Sequence, residues 1–346
     1  MSSASGNQER GLVVAVVGAT GLVGRTMVRI LEERNFPVAE LRPLAARGAG
    51  RSVRFRDTEI PVAEATPAAF EGVDVALFSA GAEVSLQLAP EAARRGCTVV
   101  DNSSAWRMDP TVPLVVSQVN PEALDGHRGI IANPNCSTMQ LAPLLHALQQ
   151  AAGLKRVVVA TYQAVSGAGS EAVDDLRAQR RAVVAGETPA STTVRHAVVE
   201  SPIPAIDLFL PDGSTKEETK VVNESRKILG LPALRISATA VRVPVEVGHS
   251  EAVHVELERP LTPEAARTVF AQTAGVFVQD DPASHIYPLA AEAAGSDGIY
   301  VGRVRVDQSV EHGLAFWVVS DNVRKGAATN AVEIAELLLA RGLLHA

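Results

Sequence analysis

Aromatic residues and cysteines are scarce in this chain. Only 4% of its 346 residues are Phe, Trp or Tyr, whereas 47% are hydrophobic, so the core must be built mainly from aliphatic side chains. The two cysteines, Cys97 and Cys136, allow at most one disulfide, which argues against a disulfide-rich secreted domain and favours a reduced, cytoplasmic protein. The eight histidines form neither a His-x-x-x-His pair nor a Cys/His cluster, and we therefore expect no metal site.

Excess positive charge and long apolar runs are also lacking. The net charge is −7 at pH 7, and no basic stripe marks a surface for nucleic acid. No apolar segment approaches the roughly 20 residues needed to span a bilayer, so we expect no association with membranes. Residues 1–10 are polar, do not have the basic and then apolar order of a signal peptide, and are predicted to be disordered.

The first pattern that the chain does contain is a strand, a glycine-rich turn and a helix. The apolar run Leu12–Val17 predicts a buried parallel strand, and residues 22–31 have apolar side chains at helical spacing. The glycines between them permit a tight turn and let a pyrophosphate approach the helix N-terminus, which predicts a dinucleotide site. The spacing is Gly-x-x-Gly-x-x-Gly, so a turn without a ligand remains the alternative. The predicted cofactor contacts in this turn are Gly18, Thr20, Gly21, Leu22, Val23 and Gly24.

The order of the predicted elements divides the chain into two domains. In the first third, short apolar strands alternate with helices, which is typical of a parallel sheet with crossover helices. After Cys136, a long helix is followed by longer β-rich runs that predict a mixed sheet. An amphipathic helix at about 327–344 is expected to return to the first domain. We therefore predict an α/β fold, with a Rossmann-type parallel-sheet domain at 11–133 plus 325–346 and an α+β domain with a mixed sheet at 134–324.

Cys136 stands at the start of the helix that opens the second domain. It follows Asn133-Pro134-Asn135 and precedes two further good capping residues and an apolar helical run. Backbone N–H groups and the helix dipole at such a position stabilise a thiolate, which can attack an acyl carbon and hold the resulting oxyanion. This predicts a nucleophile, with a reduced structural cysteine as the alternative. Cys97 opens a strand-like run and is predicted to be a buried core thiol.

Three polar residues of the second domain stand where predicted strands end or turn. Gln163 precedes a second glycine turn, Ser166-Gly-Ala-Gly. Arg242 lies in an apolar strand, where a buried guanidinium requires an anionic partner, although an exposed arginine on a half-buried strand is the alternative. His249 follows a glycine at a strand boundary, which suits an accessible general base, although a lone histidine is more often structural.

Taken together, these motifs resemble those of the aspartate-semialdehyde dehydrogenases. The motifs that carry the resemblance are Asn-Pro-Asn-Cys-Ser-Thr at 133–138, Gln163 with its Ser-Gly-Ala-Gly, Arg-Val-Pro-Val at 242–245, Gly-His-Ser at 248–250 and Asp-Asn-Val-Arg-Lys-Gly-Ala-Ala at 321–328. They occur in order, and the resemblance runs from Val13 to nearly the C-terminus. It implies the interconversion of L-aspartyl 4-phosphate and L-aspartate 4-semialdehyde, with NADPH used and phosphate released in the direction that leads to lysine, methionine and threonine.

The resemblance also implies a role for each residue of the site. Cys136 would be the nucleophile that forms a thioacyl enzyme, His249 the acid/base, and Gln163 the residue that orients the intermediate. Arg242 would bind the substrate α-carboxylate, and Glu217 the α-ammonium. The phosphate contacts that it implies are Lys220, Arg107 and Asn135. The further cofactor contacts that we predict are Ser166, Gly167 and Asn322. At least a homodimer is implied as well, with the second domain serving both catalysis and dimerisation.

One segment departs from the family pattern. After the second strand the family usually has Ala-Ser-x-Arg-Ser-Ala-Gly, whereas this chain has Ala-Ala-Arg-Gly-Ala-Gly at 45–50 and lacks both serines. No acidic residue stands there to bind a ribose 2′-hydroxyl, and Arg47 can meet a 2′-phosphate, with nearby Arg51 able to assist. We therefore predict NADP as the cofactor, with a modest preference over NAD.

Three other functions fit the sequence less well. N-acetyl-γ-glutamyl-phosphate reductase shares the thioacyl chemistry but normally has Gly before its cysteine and Tyr-Pro after it, where this chain has Asn135 and Ser137-Thr138. A short-chain reductase would need Tyr-x-x-x-Lys, which none of the three tyrosines provides. A non-catalytic nucleotide-binding relative would be expected to have lost its nucleophile or its base, and an activity assay would distinguish it.

Overall fold

The computed structural model of the protein describes residues 11–46 and 50–344. The predicted disorder of residues 1–10, the predicted cofactor contact at Arg47 and the last two residues of the predicted first domain lie outside the described residues.

The N-terminal part of the chain forms a parallel sheet. Its strands are, in chain order, β1 (Leu12–Val17), β2 (Val38–Ala45), β3 (Ser52–Phe55), β4 (Thr58–Pro61), β5 (Ala63–Glu64), β6 (Val75–Phe78), β7 (Thr98–Asp101) and β8 (Ile130–Ala132). Six of them form one sheet in the order β5-β2-β1-β6-β7-β8, with all neighbours parallel, while β3 and β4 form a separate antiparallel hairpin. Helices α1 (Leu22–Glu33) and α2 (Ala82–Arg94) connect successive strands of this sheet. The predicted Rossmann-type parallel sheet is confirmed.

The second part of the chain forms a mixed sheet, as predicted. Its elements are α3 (Cys136–Ala152), β9 (Leu154–Gln163), α4 (Ser170–Val184), α5 (Lys216–Leu229), β10 (Arg235–Arg242), β11 (His249–Leu257), α6 (Pro263–Ala271), β12 (Val276–Val278), α7 (Ala290–Ala293), β13 (Ile299–Asp307) and β14 (Gly313–Ser320). The strand order is β10-β9-β11-β14-β13-β12, in which the β9–β10 and β12–β13 pairs are parallel and the others antiparallel. Leucines of α3 pack against valines of β9 and β11 in one buried core. One face of this sheet is therefore covered by helix α3.

The chain returns to the first sheet at its end. A short π-helix, Arg324–Thr329, leads into α8 (Asn330–Ala340). Side chains of α8 such as Ile334 and Leu338 share a core with Val14 of β1 and Met27 of α1. This return agrees with the expected path of the last helix, while the exact domain boundaries stay a prediction.

An ion-paired arginine ties the returning segment to both parts of the molecule. The guanidinium of Arg324 contacts Glu33 of α1 at 2.6 Å and Asp297, which precedes β13, at 2.8 Å. The chain thus passes from the first sheet to the second before α3 and returns after β14. A cleft lies between the two sheets near these connecting segments. Among residues 11–46 and 50–344, no helix is long and apolar enough to cross a membrane.

Candidate active site

The cleft between the two sheets contains a cavity of about 370 Å³. The predicted site residues that line it are Val23, Arg107, Asn135, Cys136, Gln163, Ser166, Gly167, Glu217, Lys220, Arg242, His249 and Asn322. They come from helices α1, α3 and α5, from strands β9, β10 and β11 and from the segments between these elements, so residues far apart in the sequence meet at one place. In the part of the chain that the structure describes, no group of His, Cys, Asp and Glu side chains is arranged to hold a metal ion.

The glycine turn forms one end of the cleft and has room only for glycine at two positions. Gly18 has φ +85°, and a Cβ on it would lie 2.3 Å from the carbonyl oxygen of Ser79. A Cβ on Gly24 would lie 2.1 Å from the carbonyl oxygen of Gly18. Helix α1 begins at Leu22, and no side chain caps it at Gly21. The first N–H groups of α1 are therefore available to a ligand, which fits the phosphates of a dinucleotide.

A second cavity, of about 460 Å³, lies beside this turn and is lined by Thr20, Arg25, Arg51, Ser52 and Val53. Arg25 donates from Nη1 to the carbonyl oxygen of Thr20 at 2.7 Å, which holds its guanidinium against the turn. Within the described residues, neither Arg25 nor Arg51 forms an ion pair. Sequence reasoning missed Arg25, although its place in the first turn after the glycines was a usable signal.

Cys136 is the first residue of α3, at the other end of the cleft. The side-chain oxygen of Asn135 accepts hydrogen bonds from the backbone N–H groups of Ser137 at 2.9 Å and Thr138 at 3.4 Å, so Asn135 is the N-cap that fixes the start of the helix. Gly326 of the π-helix closes the other side, because a Cβ there would lie 3.0 Å from the Cβ of Cys136. Gly326 lies within the motif at 321–328, but nothing in the sequence around it indicates a contact with Cys136.

The thiol of Cys136 is less acidic than its position at a helix start suggested. Burial raises its pKa to about 12, and the negative charge of Glu217 contributes to the rise. The positive charges of Arg107 and Arg242 oppose the rise but do not overcome it. The backbone N–H of Ser137 at the helix start does favour the thiolate, as expected, but desolvation has the larger effect in the protein without substrate.

His249, the first residue of β11, is fully buried and presents one ring nitrogen to the cavity. Its Nδ1 accepts a hydrogen bond from the backbone N–H of Ala164 at 3.0 Å, so in the neutral ring the proton is on Nε2. Nε2 has no partner among the described residues and lies beside Gly167, where a Cβ would be 3.3 Å away. Burial lowers the pKa of His249 to about 3, and the nearby charge of Arg242 adds to this effect. The imidazole is therefore neutral and offers an N–H donor.

Glu217 joins several of the predicted residues in one hydrogen-bond network. One carboxylate oxygen accepts from the side-chain amides of Asn135 at 2.8 Å and Gln163 at 3.0 Å, and the other from Lys220 at 3.0 Å. Burial alone would raise the pKa of Glu217, but Lys220 and the two amides together lower it to about 2. Lys220 also contacts Asp207 at 2.8 Å. The carboxylate is thus ionised and faces the cleft.

The two predicted arginines of the site differ in their partners. Arg242 is buried and donates to the carbonyl oxygen of Ala164 at 2.6 Å, and it forms no ion pair within the described residues. Arg107 pairs with the buried Glu224 at 3.0 Å and also donates to two backbone carbonyl oxygens. A guanidinium has five N–H donors, so Arg107 keeps some for a ligand, whereas Arg242 still needs an anion.

Glu224 is a site residue that sequence reasoning missed. Its second carboxylate oxygen accepts the backbone N–H of Asn135 at 2.6 Å, so it positions the turn before Cys136 as well as Arg107. The spacing of Glu217, Lys220 and Glu224 places all three on one face of α5, which was the available signal.

Comparison with known proteins covers nearly the whole chain. Residues 13–127 match the family described as semialdehyde dehydrogenase, NAD binding domain, and residues 141–325 match the semialdehyde dehydrogenase dimerisation domain. The chain is 50% identical over 339 residues to an aspartate-semialdehyde dehydrogenase of Aquifex aeolicus, covering 96% of this chain and 100% of that protein. It is 48% identical over 338 residues to one of Bacillus subtilis, covering 95% and 98%.

A solved structure has the same fold over the same range. It is that of aspartate semialdehyde dehydrogenase II from Vibrio cholerae complexed with ASA, which is 44% identical and has a TM-score of 0.93. The match covers 96% of this chain and 99% of that chain, so it includes both sheets and the cleft between them.

Proposed function

The chain belongs to the aspartate-semialdehyde dehydrogenase family, and from this we propose that it reduces L-aspartyl 4-phosphate to L-aspartate 4-semialdehyde with NADPH and releases phosphate. The observation that carries the proposal is that one cavity-facing thiol, Cys136, shares the cleft with the ionised carboxylate of Glu217 and with Arg242, which forms no ion pair among the described residues. The reaction would supply a precursor of lysine, methionine and threonine.

The charges of the cleft match those of an amino-acid substrate. Arg242 lacks an anionic partner among the described residues and would bind the α-carboxylate through its planar fork. Glu217 is held ionised and would receive the α-ammonium. Lys220, Arg107 and Asn135 would then lie towards the phosphate group, where Lys220 and Arg107 supply positive charge.

The charges of the substrate would act on the acidity of the nucleophile in both directions. Glu217 raises the pKa of the Cys136 thiol, whereas Arg107 and Arg242 lower it. An ammonium group bound to Glu217 would neutralise the first effect, and the carboxylate and phosphate bound to the two arginines would neutralise the second.

The chemistry proceeds through a thioester on Cys136. The sulfur would form a bond to the acyl carbon while the bond between that carbon and the phosphate oxygen breaks, and phosphate would leave with the electron pair and take up the thiol proton. NADPH, when bound, would supply the hydride that reduces the acyl group to the aldehyde, with the sulfur leaving as a thiolate. Gln163, which donates to Ser137 at 2.7 Å, would keep the acyl group over the sulfur.

His249 would donate a proton from Nε2 to the reacting carbonyl oxygen. Because Nδ1 already accepts from Ala164, the proton of the neutral ring points to the cavity and can be donated as negative charge develops on the carbonyl oxygen. Gly167 leaves space for this approach. The acid/base role of His249 is thus proposed as that of a neutral donor whose orientation is fixed by the backbone.

Two features of the N-terminal sheet support binding of NADP. The uncapped start of α1 after Gly21 would hold the pyrophosphate, and Ser166 and Asn322 line the cleft on the Cys136 side. The cavity with Arg25 and Arg51 would hold a 2′-phosphate, since two guanidinium groups without carboxylate partners favour a dianion. The predicted preference for NADP would then rest on more than Arg47.

We expect Arg51→Ala and Arg25→Ala each to weaken binding of adenosine 2′,5′-bisphosphate by about tenfold, because a charge-assisted pair is lost. Binding of 5′-AMP should change by less than about twofold, because it lacks the 2′-phosphate. Isothermal titration calorimetry of the whole protein measures both constants. Arg54→Ala is the matched control, since Arg54 lies on the same hairpin beside Asp57. Equal affinity of the unmodified protein for the two nucleotides would remove the basis of the predicted NADP preference.

The second sheet has an exposed apolar face that suits a homodimer. Tyr162 and Trp317 lie together on the face opposite α3, and Tyr287 and Leu289 line a cavity beside them. Since this segment matches a dimerisation domain, we propose that a second copy of the chain covers this face.

The proposed function is tested by phosphate-dependent oxidation of L-aspartate 4-semialdehyde. Purified protein is given the aldehyde with NADP or NAD, with and without phosphate, and formation of the reduced cofactor is followed by absorbance. Turnover that requires phosphate is expected. Turnover of N-acetyl-glutamate semialdehyde in preference to the aspartate compound would contradict the proposal.

Arg242→Lys is expected to lower kcat/KM for the semialdehyde by at least about tenfold, because a point charge cannot replace a bidentate fork. The measurement is steady-state kinetics with the aldehyde varied. Arg235→Lys is the control, since Arg235 begins the same strand but its side chain is exposed. If Arg242→Lys changed the melting temperature and left KM unaltered, Arg242 would be a structural residue only.

A further inference from the structure

A buried glutamate lies beneath the active site and takes no part in the reaction described above. Glu251 is fully buried in β11, two residues after His249, so both side chains lie on the face of the sheet that α3 covers. Neither carboxyl oxygen of Glu251 has a hydrogen-bond partner among the described residues. A buried carboxyl group without partners is costly, and it therefore calls for an explanation.

The groups around Glu251 form a polar layer between the sheet and α3. Gln140 lies one helical turn after Cys136, and its side-chain oxygen accepts from the hydroxyl of Ser320 at 2.7 Å. Among the described residues, the amide nitrogen of Gln140 has no partner within hydrogen-bond distance, although Gln140 lies close enough to Glu251 to act on its pKa. The hydroxyl of Thr161, which is directly opposite Glu251 on β9, has no partner among them either. All of these side chains are buried, although the rest of the core between the second sheet and α3 is aliphatic.

Among the described residues, no charged side chain lies near enough to Glu251 to keep it ionised. The titratable groups that the packed elements bring towards it are His249 on its own strand and Cys136 on α3, and both are neutral. Strand β14 contributes no titratable side chain, and Tyr162 of β9 lies on the opposite face with Trp317. Burial raises the pKa of Glu251 well above its usual range, and Gln140 only partly opposes this.

We propose that Glu251 is a positioning residue, a neutral carboxylic acid that acts with Gln140 to hold the first turns of α3, and so Cys136, at the cleft. A neutral carboxyl group can both donate and accept, so it can satisfy the free amide of Gln140 directly or through a buried water. Gln140 is also bonded to Ser320, which precedes the segment that carries Asn322, so the same network reaches the returning chain.

Two substitutions of nearly equal volume distinguish this role from core filling. Glu251→Gln keeps an uncharged polar group, whereas Glu251→Met keeps the volume and removes the hydrogen bonds. We expect Glu251→Gln to retain most of the turnover and Glu251→Met to lower kcat by about tenfold or more with little change in KM, because small displacements of a nucleophile are costly. Gln140→Met should have the same effect, and the double variant no further effect. Full turnover in Glu251→Met would overturn the proposal.

The kinetic test rests on the proposed function, but a second measurement, of stability against pH, does not. Above the ordinary pKa of a glutamate, the unfolded chain releases the proton that folded Glu251 must keep, so unfolding becomes easier as pH rises. Relative to that of Glu251→Gln, the equilibrium constant for folding of the unmodified protein should fall about tenfold for each pH unit, up to the raised pKa of Glu251 in the folded protein. Denaturant unfolding between about pH 5 and pH 8 measures this difference.

Glu256→Gln is the matched control on the same strand. Its carboxylate pairs with Lys155 at 2.5 Å, which lowers its pKa, so the stability of this variant should not rise relative to the unmodified protein with increasing pH. A pH-independent difference between the Glu251→Gln variant and the unmodified protein would show that Glu251 is ionised in the fold and would overturn the proposal. If the semialdehyde were not a substrate, the unfolding data would still show whether Glu251 is neutral in the fold. The rate of Cys136 alkylation in the same variants would still show whether Glu251 positions the thiol.

Discussion

Cys136→Ala is expected to lower kcat by several orders of magnitude while leaving the fold and the affinity for NADPH intact. Cys136 supplies the one thiol among the described residues of the cleft, and the proposed thioester cannot form without it. Steady-state kinetics and cofactor titration of the same preparation measure both properties.

Cys97 provides the internal comparison for this experiment. It is buried in the first sheet, away from the cleft, and burial raises its pKa. Cys97→Ala should therefore change stability slightly and turnover by less than about twofold, since it removes only core volume. Near-normal activity of Cys136→Ala would exclude covalent catalysis by this residue.

His249→Asn is expected to lower kcat by about 10²–10⁴ with little change in cofactor affinity, because it removes a positioned proton donor. The ring is held by Ala164 and is neutral, so the loss should persist across the neutral pH range. A pH profile of kcat measures this. A variant whose activity recovered at low pH would indicate that another group supplies the proton.

His254, five residues further along the same strand, is the matched control. It lies on the opposite face of β11, is partly exposed and contacts Asp307 at 2.7 Å. His254→Asn should therefore leave kcat nearly unchanged. If it were the more damaging substitution, the assignment of His249 as proton donor would be wrong.

The elements that define the cleft could be predicted because their signals are local. The apolar run before Gly18, the turn itself and the capping residues before Cys136 each specify backbone geometry within a few residues. Strand alternation alone predicts that His249 and His254, five residues apart, lie on opposite faces of β11, and the structure agrees.

The electrostatics of the site could not be predicted in the same way. Without the family resemblance, the segment that contains Glu217 is better interpreted as a solvated helix start, and only the packing of α5 against α3 buries this carboxylate next to Gln163 and Asn135. The raised pKa of Cys136 has the same origin, because it depends on desolvation and on Glu217, which lies far away in the sequence. The role of Gly326 could not be predicted for a related reason, because its contact with Cys136 joins two segments that are distant in the sequence.

The return of α8 to the first sheet has a consequence for the order in which the protein assembles during synthesis. The core beneath β1 includes Ala331, Ile334 and Leu338, so it cannot close until nearly the whole chain has left the ribosome. The second sheet needs no residue beyond β14, which emerges shortly before α8, so we expect it to be completed first. The nucleotide-binding sheet, although it comes first in the sequence, would then be completed last. A chain released before residue 328 would expose a broad aliphatic face to aggregation or to chaperones.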